Sequence, residues 1–509
     1  MSDTDQAIRD VVKGASIVYI GLFAELFIAL VAQILAARYL SVSDFGGITT
    51  GTALLDIGSI IGGLGLASGL TRYLPRVDDK EKRSLATAAV VVTAVVSFAL
   101  GATVTLNASS IAREVFGDSS VASSIRIFGA AIPFAALLNV SIGGIRGEKQ
   151  SLYRVYVKNL VHPVARVVLV IFAVSYGFGQ VGLASAYAIP YVASAVLALV
   201  LLHRSLPPSI ISFDIDLVKE VSSYSLPFTI TGVSGFIYRS LDIFLILHFM
   251  GSFAVGIYGV AYAATSFMGM FSTAFNFLGA PVASELEHGG NIDQVMRVFR
   301  SVTRWLVIGS VCVLIPLGIF SADFISIIYQ SKYASGGVAL TILAIGFAVK
   351  NVLSVHGPIL EALGHSKILS YNSVAAAAVN LILNIIFIPR YGIVGAAIAT
   401  SLSFILRDSL AALQVRHFLD TTPISWEAIG PTLISIPFLG GIVAFVAPNV
   451  PGTFLWLVGV SGVLSVLYSG TVLLALGLPE TEIMILRSME EKYGINLDPL
   501  EPLIRLLSR

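Results

Sequence analysis

Charge and cysteine are both scarce in this chain. Of its 509 residues only 12% are Asp, Glu, Lys or Arg, against 56% apolar, where a soluble domain carries about a quarter charged residues. So few charges cannot cover the surface of a water-soluble molecule of this length. The single cysteine, Cys312, has no partner for an intramolecular disulfide and no companions for a thiolate metal site. No Gly-Lys dipeptide occurs, so the G-x-x-x-x-G-K-Ser/Thr phosphate cradle cannot form and transport driven by ATP hydrolysis within the chain is excluded. A formal net charge of +1 lacks the basic excess that a nucleic-acid-binding face needs. No cofactor or metal is expected.

What is present is apolar sequence in blocks of about 20 residues, the length that crosses about 30 Å of hydrocarbon at 1.5 Å per residue. Such blocks run near 15–37, 46–70, 85–107, 123–145, 157–176, 181–203, 221–249, 254–282, 299–320, 337–362, 368–388, 393–416, 428–447 and 453–477. The fold class is therefore an all-α polytopic membrane protein with about fourteen transmembrane helices. The polar start, MSDTDQAIRDVVK, does not resemble a cleavable signal peptide.

Basic residues set the orientation. One set of connections holds Arg72, Arg76, Lys80, Lys82, Arg83, Arg146, Lys149, Arg154, Lys158, Arg204, Lys219 and most of the others, whereas the opposite set holds only Arg38, Arg113, Lys332 and Arg390. This predicts a multi-pass protein of the cell membrane with both termini in the cytoplasm. The outer loops, around 108–122 and 321–336, are far shorter than a domain of about 50 residues or more. They leave no room for an external catalytic domain, so a transporter is expected rather than an enzyme.

An internal repeat appears when segment 33–76 is set against 243–286, with Gly46 on Gly256 and Gly69 on Gly279. Further on, Gly179, Val181 and Gly182 fall on Gly392, Val394 and Gly395. Halves that each start from the cytoplasm and have an even number of spans are parallel repeats, with the substrate site expected near the midplane between them. The expected organisation is an N-terminal six-helix bundle (1–203), a cytoplasmic linker (204–220), a C-terminal six-helix bundle (221–418), two extra helices (419–477) and a cytoplasmic tail (478–509).

Four stretches carry a family resemblance: ARYLSVSDFGGI (37–48), GLGLASGLTRYLPR (63–76), the segment 224–263 with Pro227, Asp242 and the Gly256–Tyr258 turn, and 362–403 with its Gly-His-Ser-Lys turn and Pro-Arg-Tyr-Gly-x-x-Gly-Ala-Ala. They resemble the polysaccharide transporter branch of the multidrug/oligosaccharidyl-lipid/polysaccharide exporter superfamily, the Wzx-type lipid-linked oligosaccharide flippases. The resemblance implies two six-helix bundles in a V-shaped, MATE-like arrangement plus two C-terminal helices. It implies transfer of a polyprenyl-linked oligosaccharide to the outer leaflet by alternating access. The partners are then a lipid-linked oligosaccharide, membrane lipid and a coupling proton or sodium ion, and the working unit is a monomer. The alternative is a cation-coupled multidrug exporter of the same superfamily.

Ionisable residues at membrane depth cost about 2.5–3.5 kcal/mol on insertion scales and usually face a cavity or a partner. Arg154, Lys158, His162 and Arg166 recur every fourth residue, which puts them on one helical face. Such a stripe could guide a lipid pyrophosphate, arginine suiting phosphate especially well. The plainer alternative makes Arg154 and Lys158 interfacial anchors only. Arg239 and Asp242 are spaced to pair on one helix face, with Arg239 offered to phosphate and Asp242 holding it, or as a purely structural pair. Lys350 is a further candidate for a cavity cation, with a purely structural role as the alternative. Glu25 and Asp56, mid-span, are candidates for ion coupling or for an interhelical salt bridge. Arg407 and Asp408, being adjacent, should point in different directions.

Overall fold

The computed structural model describes residues 3–208, 215–269, 292–424 and 453–477, with a few positions between 426 and 442. Among them every regular element is helical, and eleven helices are long and apolar enough to cross a membrane. The spans expected near 254–282 and 428–447 lie partly or largely outside the described residues, as do the tail 478–509, residues 209–214 of the linker 204–220 and Gly279 of the repeat.

By packing, the chain forms two compact units, Met1–Ala263 with Ala377–Ala399, and Ala264–Ala376 with Thr400–Arg509. In the first unit the helices are α1 (Asp3–Tyr39), α2 (Val42–Gly63), the short α3 (Leu66–Tyr73), α4 (Asp79–Leu106), α5 (Ala122–Gly147), α6 (His162–Ser175), α7 (Gly179–Ser205), α8 (Ile215–Met250) and α9 (Ser252–Ala264). Helix α5 is central and packs against α2, α3, α4 and α7. Its glycines permit this closeness. A Cβ on Gly143 would land 2.3 Å from the Ala67 carbonyl oxygen of α3, the small-residue contact that brings membrane helices together. Leu66, Leu70, Leu137, Ile145, Leu202 and Val221 fill the core between these helices, while Phe27, Val95, Leu106 and Ile230 are exposed, as suits a surface bathed in lipid.

The expected span 46–70 is broken. Leu64 and Gly65 take left-handed backbone at φ 48° and 68°, ending α2 and restarting the chain as α3. Both flanking glycines and Leu64 are apolar, so hydropathy runs straight through the break. Helix α8 approaches so closely there that a Cβ on Gly65 would sit 2.1 Å from the Ser225 carbonyl oxygen. At the far end of α2, Gly46 meets Gly256 of α9, the position the repeat aligns with it; a Cβ on Gly46 would fall 1.9 Å from the Ser252 carbonyl oxygen.

The second unit contains α10 (Ile292–Leu314), α11 (Gly337–Leu353), much of α12 (Ser366–Leu419) and α13 (Phe454–Leu476). Met296, Phe299, Leu306, Ile359 and Val415 form a core there. The 54 residues of α12 would reach about 80 Å as one helix, far beyond a bilayer. They are two helices joined where Gly392 leaves helical geometry at φ 60° and ψ −139°, the turn expected between 388 and 393.

Candidate functional site

Two neighbouring compartments with shared lining residues open within the first unit. The first, about 470 Å³, is lined by Ser68, Thr71 and Arg72 of α3, Asn139, Gly143 and Arg146 of α5, Tyr224 and Phe228 of α8, and Arg154 and Lys158. The second, about 320 Å³, is lined by Glu25 of α1, Asp56 and Ser59 of α2, Asn139 of α5, Lys158, His162 and Arg166, Tyr191 of α7 and Arg239 of α8. Asn139 and Lys158 face both.

Local chain geometry builds this lining. The four-residue stripe does not lie on one uniform α-helix: a short helical turn, Ser151–Arg154, passes into a π-helical segment, Val155–Val161, before α6 begins. Such i→i+5 segments are rare overall and frequent at functional sites, although two others here, Ile111–Val115 and Ile315–Ile319, lie away from this lining. Pro163, which has no N–H to give, directly follows the π segment at the start of α6, where the His162 N–H reaches back to the Val157 carbonyl. Helix α3 is pinned to α5 by Thr71, whose hydroxyl lies 2.8 Å from the Ala67 carbonyl and 2.9 Å from that of Gly143. Beside it the Arg72 guanidinium stacks 4.3 Å above the Tyr224 ring, and Tyr73 donates to Glu220 at 3.1 Å.

The deep compartment has its own polarity. Arg166 Nη2 lies 2.7 Å from His162 Nε2. A guanidinium can only donate, so His162 accepts through Nε2 and is left to donate from Nδ1 toward Ser194 Oγ at 3.4 Å. His162 is thereby a neutral ring that aims Arg166 rather than a second cation. The Tyr187 ring lies 5.1 Å from the Arg166 guanidinium carbon, and Tyr191 meets His162 edge-on at 4.4 Å. Glu25 accepts a hydrogen bond from Asn159. Asp56 is exposed into the space, with Arg239, Arg166 and Lys158 as its charged neighbours.

The structure thus gathers Glu25, Asp56, Lys158, His162, Arg166 and Arg239 around one space. It places the other two elsewhere. Asp242 is buried at 2% exposure, accepting from the Ile243 N–H at 2.9 Å and from the Tyr258 hydroxyl, so it serves the α8–α9 contact. Arg239 turns the other way, its Nε donating to the Gly235 carbonyl at 3.1 Å. Lys350 belongs to the second unit, over the rings of Phe347 and Phe404 at 4.7 and 4.5 Å. Arg407 and Asp408, expected to diverge, instead pair with each other at 2.7 Å, because the long arginine stem folds back onto its neighbour. Sequence reasoning missed Arg72, Arg146, Asn139 and Tyr224, and left Arg154 open between cavity stripe and interfacial anchor. Nothing in their spacing separates a cavity arginine from an interfacial one.

Eleven described helices long and apolar enough to cross a membrane, with a cation-lined space among those of the first unit, define a polytopic helical membrane protein. The family model described as "Polysaccharide biosynthesis protein" matches residues 11–286; that is more than half of the chain, and the chain belongs to this family. It is 27% identical over 228 residues to the "Probable low-salt glycan biosynthesis flippase Agl15" of Haloferax volcanii, covering 44% of this chain and 47% of that one. The chain therefore spans about half the length of that relative. Among solved structures it resembles the lipid II flippase MurJ in an inward closed conformation, with a TM-score of 0.71 at 16% identity over 88% of this chain and 97% of MurJ. An inward-facing MATE multidrug transporter gives 0.64 at 15% identity over 78% and 94%. These two likenesses are of fold.

Proposed function

We propose that this protein is a flippase that moves a polyprenyl-linked oligosaccharide from the cytoplasmic to the outer leaflet by alternating access. The observation that carries this is the sign of the cavity. Six arginine and lysine side chains line it (Arg72, Arg146, Arg154, Lys158, Arg166 and Arg239) against two carboxylates, Glu25 and Asp56. A lipid pyrophosphate must bring its negative charge through a region where an isolated charge is unfavourable. Fixed cations at short range offset that cost, and arginine adds a planar fork matched to phosphate oxygens. A surplus of positive charge would repel the cationic cargo of many drug exporters.

Asp56 and Glu25, set among these cations, are the positions where a proton or sodium ion would couple to movement. Fourteen spans, cytoplasmic termini and the bundle boundaries at 203, 221 and 418 complete this proposal. The test is appearance of a lipid-linked oligosaccharide in the outer leaflet at matched expression. Arg166→Glu and Arg239→Glu should abolish it, and a normal rate in both variants would remove the electrostatic basis of the proposal. A tag at Lys332 accessible from the same side as one after Arg509 would overturn the orientation.

A further inference from the structure

Outside the cavity, a third space of about 240 Å³ opens between α4 and α7, lined by Arg83, Ala86, Thr87, Val90, Leu199 and Leu202, with His203 and Leu206 at its end. Both helices pack on α5, and the space lies between their ends. Arg83 is in the second turn of α4, and His203 is in the last turn of α7. From Arg83 to Val90 the groove runs about 10 Å along α4, apolar beyond its mouth.

The mouth has an unmet need. Arg83 Nη2 lies 2.9 Å from His203 Nε2 and 3.4 Å from Nδ1; since arginine only donates, it gives to the ring and takes nothing from it. Arg83 Nε is buried without a hydrogen-bond partner. Among the described residues no carboxylate pairs with Arg83, whereas its neighbour Lys82 is held by Asp79 at 3.0 Å and Glu148 at 3.5 Å. The Thr87 hydroxyl is spent on the Arg83 carbonyl at 2.7 Å. What is missing is an anionic acceptor attached to something apolar.

We propose that this groove binds an anionic phospholipid of the bilayer, its phosphate on Arg83 and His203 and one acyl chain along Val90, Leu199 and Leu202. On the orientation drawn from the basic residues, the headgroup lies at the cytoplasmic surface. The site is independent of the cargo proposed above.

The test is native mass spectrometry of the detergent-solubilised full chain with dioctanoyl phosphatidylglycerol. The wild type should retain this lipid in preference to dioctanoyl phosphatidylcholine, and inorganic phosphate should not displace it. Arg83→Gln, which removes the charge, and Val90→Phe, which fills the groove but leaves the mouth intact, should each weaken retention about tenfold. Arg239→Gln, in the cavity, should leave it unchanged. The proposal is overturned if both groove variants retain the lipid like the wild type, if Val90→Phe alone has no effect, if inorganic phosphate competes, or if Arg239→Gln is the variant that loses it.

Discussion

The two packing units treat intramembrane charge in opposite ways. In the first, Lys158, Arg166 and Arg239 border an open space, and Asp56 is exposed into it. In the second, Arg304 is 6% exposed and donates to the Gly477 carbonyl at 3.0 Å, Lys350 rests on two phenylalanine rings, and Arg407 is matched by Asp408. All are costly residues in a bilayer, and each is accommodated. In the second unit the protein supplies the partner; in the first, part of the partnership is left to whatever enters the cavity. A charge at membrane depth therefore marks a functional site only when its surroundings leave it something to bind.

The strongest way to break this comparison is to exchange charge on each side of it. Arg239→Glu should lower lipid-linked oligosaccharide transport by at least about tenfold, with Arg239→Lys milder than Arg239→Gln because it keeps the charge and loses only the fork. Lys350→Gln, at equal expression, should change the rate by less than about twofold. Equal damage from Arg239→Glu and Lys350→Gln would erase the distinction between the units.

Next comes stability. Arg304→Ala should cost about 1.5–3 kcal/mol, the worth of a charge-assisted hydrogen bond, read as a lower thermal midpoint in detergent with transport per folded molecule intact. A cavity variant such as Arg239→Gln should show the reverse pattern, with slower transport and little change in midpoint. Gly46→Ala should cost about 1–3 kcal/mol by overpacking, since its Cβ has no room beside the Ser252 carbonyl.

The smallest effect is that of pH on the connection between α4 and α5. Burial pushes the Asp118 carboxyl up, but hydrogen bonds from Ser120 and Ser252 outweigh it and hold its pKa below the ordinary value of 3.8. A depressed pKa means the ionised form is favoured in the folded state. Its stabilisation is complete above the unfolded value and lost as pH falls through the folded one. The midpoint difference between wild type and Asp118→Asn should therefore persist at neutral pH and shrink below about pH 4. A difference that stays constant through acid would mean the carboxylate's charge plays no part.

Much of the fold was legible because apolar length is a strong signal. The turn at Gly392 lies where two apolar blocks abut across Pro389–Gly392, and the stripe through Arg166 stood out because charge is scarce there. The break at Leu64–Gly65 was not legible, since it is a matter of backbone torsion in residues that are all apolar. Arg72 and Arg146 were hidden in the positive-inside bias, where cavity and anchor arginines look the same. The bond between Asp242 and Tyr258 was not legible, because spacing along one helix says nothing about the next.

The π-helical segment before α6 has a consequence for rotational phase. In a uniform α-helix each residue advances about 100°, so a four-residue step overshoots a full turn by about 40°. Three such steps, from position 154 to 166, would swing Arg154 about 120° away from Arg166 around the axis, a third of a circle, toward a different neighbour. The wider turn at Val155–Val161 advances less per residue and winds that angle back. The segment acts as a phase corrector that lets one column of side chains follow both compartments over its full length.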